Sequence, residues 1–230
     1  MIVLAFDTSS KTASVAVLNN NDTVYEKILD TGLNHSETIL PVIDSALKDS
    51  KLQINEIDLF ACTLGPGSFT GVRISVSTIK GMMLATSKPA VGVSTLAAIA
   101  LNVPHTKKLI CAVMDAGRGQ VYTATFRYEK ESLLRQFTRE INIDPQHISA
   151  ETNDEVICVG EGALMYAELI LKNNKNIKID KNVIPCVKAS AVGILGVEKY
   201  RRGELLSPDN CVPVYLRQSD ALPKASLFTL

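Results

Sequence analysis

The sequence predicts an α/β protein in which one unit of strands and helices occurs twice. Three observations carry that expectation. Two short, continuously apolar runs end in an aspartate, at Asp7 and half a chain later at Asp115. Each leads through a turn of small or polar residues into a second β-rich segment. Stretches with helical periodicity alternate with these strands, the pattern of sheets covered by helices. The 230 residues, 46% hydrophobic and 21% charged, are enough for two lobes of about 100 residues each. The expected lobes are 1–103 and 104–230, with the terminal arm placed to cross back.

Residues 2–6 are apolar throughout, as in a strand buried on both faces, and Asp7-Thr8-Ser9-Ser10-Lys11 is a polar turn. Strands are expected at 12–18 and 23–29, joined by the turn Asn19-Asn20-Asn21-Asp22. Helical periodicity covers 36–48, with Asn34 and Glu37 spaced as a capping box; Pro41 is expected to bend this helix or confine its regular bonding to the later part. A strand at 57–63 feeds the loop Leu64-Gly65-Pro66-Gly67-Ser68-Phe69, and a second long helix is expected over 70–85. A short strand at 90–93 and a short helix at 94–101 close the first half before Pro104. The second half opens with strands at 109–114 and 121–128, then a polar, irregular block over 131–155. A strand at 156–159 leads through Gly160-Glu161-Gly162-Ala163 into a helix over 163–172. Residues 172–182 are a polar turn region, 189–201 the last helix and 208–218 an extended arm.

Composition narrows the function. Lys plus Arg number 24, as do Asp plus Glu, and no basic stripe exists, which argues against a chain that grips nucleic acid by itself. The five cysteines include no Cys-x-x-Cys, and Cys62, Cys111 and Cys158 lie inside apolar strands. That usage points to reduced thiols and the cytoplasm. The N-terminal apolar run is too short for a signal peptide, and no run of about 18 apolar residues offers a membrane span. His35, His105 and His147 stand far apart, without the convergent ligands a metal centre needs.

The stretch Gly65-Pro66-Gly67-Ser68-Phe69-Thr70-Gly71-Val72-Arg73 lies between a strand and a helix, where phosphate loops occur. It has no Gly-Lys-Ser/Thr and does not fit Gly-x-Ser-x-Gly. A tight turn with Ser68 or Thr70 capping the helix accounts for it. Asp7, with Thr8 and Ser9, and Asp115 stand where carboxylates face phosphates or a metal across a cleft, or else hydrogen-bond their own turns. Gly160 and Gly162 would let a nucleotide approach the backbone.

On a helical wheel the 70–85 segment has one apolar stripe, Val72, Val76, Ile79 and Met83, for the sheet. Its remaining arc, including Ile74, Ser77, Thr78, Gly81 and Met82, is small or apolar where a surface helix would carry charge. The 36–48 helix has a similarly broad arc that includes Leu40, Ile43 and Leu47. Both helices are either enclosed by their own fold or form a helix-on-helix interface, with small residues permitting close approach and Met82 and Ile74 as anchors. The interface is the favoured reading.

Four segments are similar to a known family: Ile2-Val3-Leu4-Ala5-Phe6-Asp7-Thr8-Ser9, His35-Ser36-Glu37-Thr38-Ile39-Leu40-Pro41-Val42-Ile43-Asp44, Gly65 to Ile74, and Met114-Asp115-Ala116-Gly117-Arg118-Gly119-Gln120-Val121-Tyr122. They resemble the TsaB (YeaZ) family, most specifically in the glycine block, densely over about the first half and more loosely to Pro213-Val214-Tyr215-Leu216-Arg217. The resemblance implies an actin-like, sugar-kinase/Hsp70-type fold of two duplicated lobes. It implies membership of the complex that places threonylcarbamoyl on an adenosine beside the tRNA anticodon. The catalytic relative of that family, TsaD, carries a metal-binding histidine pair that has no counterpart here. By resemblance, this chain is then a non-catalytic scaffold without a cofactor of its own, ATP and Mg entering at the level of the complex. The implied partners are a TsaD-type subunit, a TsaE-type ATPase and a second copy of itself, with tRNA met only through the complex and no membrane. The implied interface is the first two helices. Two rival activities are an actin-like ATPase or small-molecule kinase using Asp7 and Asp115 on Mg-ATP, and a peptidase, against which stands the lack of a nucleophile–base pair.

Overall fold

The computed structural model describes residues 1–30, 35–130, 133–149, 154–172 and 174–217. Strand β1 (Ile2–Asp7) is the centre of a five-stranded sheet, which is why its apolar run is unbroken. It pairs antiparallel with β2 (Ala13–Asn19), which pairs with the edge strand β3 (Asp22–Leu29). On its other side it runs parallel to β4 (Leu59–Gly65), which carries β5 (Ala90–Ser94).

The second sheet repeats this plan. Its centre, β6 (Leu109–Gly117), pairs antiparallel with β7 (Gln120–Lys130), and β7 with β8 (Leu133–Gln136). The other neighbours, β10 (Val156–Val159) and β11 (Ile177–Ile179), are parallel, and a short β9 (Ile141–Ile143) adds to β7. The repeated apolar run ending in Asp is thus the central strand of each sheet.

Helices α1 (His35–Asp49) and α2 (Phe69–Thr86) touch each other and cover one face of the first sheet. On its opposite face lies α6 (Ala189–Arg201), which crosses β1, β2, β4 and β5 although it comes last in the chain. Helix α3 (Thr95–Ala100) packs on β6 and β7, so the largest core joins both sheets through α3 and α6. The glutamate of β3 helps to hold this arrangement: Glu26 Oε1 accepts from the first turn of α6 at Ser190 N, 2.8 Å away.

Several expectations need adjustment. α1 continues across Pro41, which lies inside it and cannot donate a backbone bond; Asn34, half of the expected capping box, lies outside the described residues. The helix expected over 163–172 is two pieces, α4 (Glu161–Met165) and α5 (Ala167–Leu171), divided at Tyr166, whose φ of −108° and ψ of 23° leave the helical region. The polar blocks contain β8, β9 and β11, edge or outlying strands too short to show a period. Among the described residues no helix is long and apolar enough to cross a membrane.

Candidate functional site: a groove between two helices

α2 begins where Ser68 Oγ accepts from Gly71 N, and it ends with Ser87 in the left-handed region. Its buried face is Gly71, Val72, Ser75, Val76, Ile79 and Met82. The matching face of α1 is Ile39, Ile43, Ala46 and Leu47. Three residues expected to meet a partner therefore lie in the core: Ile43, Leu47 and Met82 are at most 9% exposed and pack with Leu4, Phe6 and Phe60. Met82 takes the inward position assigned to Met83, which is half-buried, because α2 is apolar on adjacent stripes and the sheet selects between them.

The other expected interface residues do reach the surface. Leu40 is 57% exposed, Ser77 and Gly81 are exposed, and Ile74 and Thr78 are half-buried. Leu40 on α1 faces Thr70, Arg73, Ile74, Ser77 and Thr78 on α2 across a largely apolar groove of about 330 Å³. The terminal arm borders it. Val214 N donates to Leu64 O at 2.7 Å, placing Tyr215 on Phe69 with ring centroids 4.9 Å apart. Arg73, which lines the groove, lies 3.7 Å from the Phe69 ring centroid and donates from Nε to the Tyr215 hydroxyl at 2.9 Å. The charge of Arg73 is legible in the sequence; its link to Tyr215 spans 142 positions and is not.

The expected nucleotide cleft is arranged differently. Asp7, Thr8 and Ser9 are fully buried, because the glycine loop closes over their turn. Ser68 N donates to Ser9 O at 2.7 Å, and Thr8 Oγ1 donates to Gly71 O at 2.7 Å. In this arrangement all three are closed off from solvent. Gly160 and Gly162 are also not open: a Cβ would stand 2.3 Å from Val113 O at the first and 2.9 Å from the Met114 carbonyl carbon at the second, so both serve the packing of α4 on β6. Asp115 alone of the set is half-exposed, and its Oδ1 accepts from Gly117 N at 3.0 Å and from the Tyr166 hydroxyl at 3.1 Å. Burial, then the neighbouring Asp115 charge, pushes the Glu161 carboxyl up, with Lys11 opposing. Among the described residues no three His, Cys, Asp or Glu side chains converge on a point that would hold a metal ion.

Asp7 Oδ1 accepts from the Thr63 hydroxyl and from Ser9 N, whereas Oδ2 has no partner among the described residues. Burial outweighs these hydrogen bonds and raises the carboxyl above its ordinary value. The folded chain then holds this proton more tightly than the unfolded chain. Stability is lost as pH rises from the ordinary carboxylate value through the folded one, and stays lost at neutrality. Asp7→Asn, which keeps the acceptor for Thr63, is expected to raise the thermal midpoint at neutral pH, by about 2–4 °C for each kcal/mol recovered. The gain should vanish below about pH 4, where the parent carboxyl is protonated in both states. Melting curves at the two pH values check this; a lower midpoint at neutral pH contradicts it.

The family model described as "TsaD: tRNA N6-adenosine threonylcarbamoyltransferase" matches residues 30–224. The chain is 31% identical to the tRNA threonylcarbamoyladenosine biosynthesis protein TsaB of Bacillus subtilis, over 97% of either chain. The solved structure of YeaZ from Pseudomonas aeruginosa superposes with a TM-score of 0.81 at 25% identity, covering 94% of this chain and 99% of that one. A ROK hexokinase from Thermus thermophilus superposes with a TM-score of 0.50 at 10% identity, over 88% of this chain and all of that one. The fold is the α/β actin-like, sugar-kinase-like one, in two lobes.

Proposed function

Because the chain belongs to the TsaB (YeaZ) family, we propose that it serves tRNA threonylcarbamoyladenosine biosynthesis as an accessory subunit that docks a TsaD-type catalytic relative. The observation that carries this reading is the α1–α2 groove. Leu40 is more than half exposed beside half-buried Ile74, and Ser77 and Gly81 keep the helix surface low enough for another helix to lie close. The chain acts by binding and contributes no bond-making residues. The enclosure of Asp7, Thr8 and Ser9 by the glycine loop supports this over an ATPase or kinase, which would need that turn open to phosphates.

The same groove serves a second copy of the chain when the catalytic relative is absent. A TsaE-type ATPase joins the assembly, bringing ATP and Mg, and tRNA is met through the complex. The assembly works in the cytoplasm, where the five cysteines remain thiols. The lobe of residues 1–103 carries the docking helices, and the arm of the second lobe, 104–230, returns across it through Val214 and Tyr215.

Calorimetric titration tests the proposal. The chain should bind the TsaD-type subunit of its own organism with a Kd of about a micromolar or tighter, and should show neither binding nor turnover of ATP alone. Depleting it from cells should lower threonylcarbamoyladenosine in tRNA. ATP turnover without protein binding would contradict the proposal.

A further inference from the structure

The groove is lined by apolar and hydroxyl side chains, and Arg73 is the one charged residue among them. Arg73 is exposed, and no carboxylate pairs with it among the described residues. Other cations of the chain do have such partners, Lys48 with Asp44 and Arg135 with Glu129 among them. Yet Arg73 is not a loose surface side chain. Phe69 lies beneath the guanidinium, the Tyr215 hydroxyl accepts a hydrogen bond from Nε while its ring stacks on Phe69, and Val214 is tied to β4 by its backbone. Rotamer freedom that an arginine ordinarily loses on binding is already lost here. Nε and one face of the guanidinium are engaged; the two terminal nitrogens bond nothing among the described residues, and together they can take a carboxylate end-on through two parallel hydrogen bonds. A fixed Arg, Tyr and Phe at the edge of an apolar groove is the composition of a binding hot spot.

From this we infer that the occupant of the groove is a helix that places an apolar side chain between Leu40 and Ile74 and an Asp or Glu against Arg73, with Tyr215 and Phe69 as positioning residues for the guanidinium. The inference rests on the docking reading above and adds the chemistry by which the partner is selected. A protein carboxylate fits better than an RNA phosphate. A single cation lines the groove, the rest of the lining is uncharged, and the chain has no net charge with which to hold a polyanion.

The test compares Arg73→Gln, Arg73→Lys, Tyr215→Phe and Ile74→Glu for binding to the TsaD-type subunit at low and high salt, with melting curves as the folding control. Arg73 is exposed and its substitution removes only its contacts with Phe69 and Tyr215, so the melt should fall by no more than a few degrees. Arg73→Gln is expected to bind about 30-fold more weakly and to lose most of the salt dependence. Arg73→Lys keeps the charge without the fork, and should keep the salt dependence while binding about tenfold more weakly. Tyr215→Phe loses only the hydroxyl acceptor and should bind about threefold more weakly. Wild-type affinity and salt dependence in Arg73→Gln, with Ile74→Glu abolishing binding, would overturn the carboxylate inference and leave the docking reading intact. Wild-type binding by Ile74→Glu would overturn both. Loss of RNA binding in Arg73→Gln, with protein binding unchanged, would assign Arg73 to a phosphate instead and overturn the inference as well.

Discussion

Ile74→Glu is expected to abolish association with the TsaD-type subunit while leaving the monomer folded. Ile74 is half-buried on the rim of the groove, so in the free chain a glutamate there can turn its carboxylate to water. A docked helix removes that water. Arg73 cannot rescue the charge, since neighbouring positions on a helix point in different directions and its guanidinium is held by Phe69 and Tyr215. Burying an unpaired carboxylate costs about 3–5 kcal/mol, a loss of affinity of roughly 100- to 4000-fold. Met82→Glu is the contrasting variant. Eight residues further along the same helix, Met82 packs in the core with Phe6 and Phe60, and a charge there should unfold the chain. Circular dichroism and gel filtration of both variants, alone and mixed with the partner, separate the two outcomes. A folded, binding-competent Ile74→Glu would remove the groove from the interface.

The second large effect is expected at Gly71, where helix α2 meets the turn after β1. A Cβ built there would stand 1.9 Å from Thr8 O, which is backbone on a fully buried turn and has nowhere to move. The Thr8 hydroxyl already holds the Gly71 carbonyl, fixing the helix at that distance. Gly71→Ala must therefore push α2 off the sheet or break the turn, at a cost of about 4–5 kcal/mol, comparable with the whole stability of many domains. Gly81 provides the control in the same helix. Nothing lies within 4 Å of its added Cβ, so Gly81→Ala should stabilise the chain by about 0.5–1 kcal/mol through helix propensity. Urea unfolding of the two variants measures both. Equal stabilities would contradict the close packing of the glycine loop.

These two glycines also mark what the sequence can and cannot convey. The duplicated plan was readable because it rests on local signals: β1 and β6 each begin with an unbroken apolar run for lack of a solvent-facing side, and each run ends at an Asp, Asp7 closing β1 and Asp115 standing two residues before the end of β6. α1, α2 and α6 were readable from their periodicity. β8, β9 and β11 were not, since strands of three or four residues at an edge bury too little to need a pattern. At the site, the excess of apolar surface on α1 and α2 was visible, but its division between core and groove was not. Met82 and Met83 are equivalent on paper, and only the sheet beneath decides between them. The same holds for Ile43 and Leu47, which complete the core beneath the exposed Leu40. The enclosure of Asp7 depends on the glycine loop some sixty positions on, and the clamp on Arg73 on a tyrosine near the other end of the chain. Contacts at such separation leave no local trace in composition or spacing.

Hydrogen exchange of the full chain, alone and with the TsaD-type subunit, addresses the docking surface without altering any residue. The slowed amides should cluster on Ser36–Leu40 and Thr70–Thr78, extending to Val214 and Tyr215, while the turn at Asp115 and the start of α4 at Glu161 exchange as in the free chain. Slowing confined to Asp115 and Glu161, with the two helices unchanged, would place the partner in the cleft between the lobes and contradict the groove.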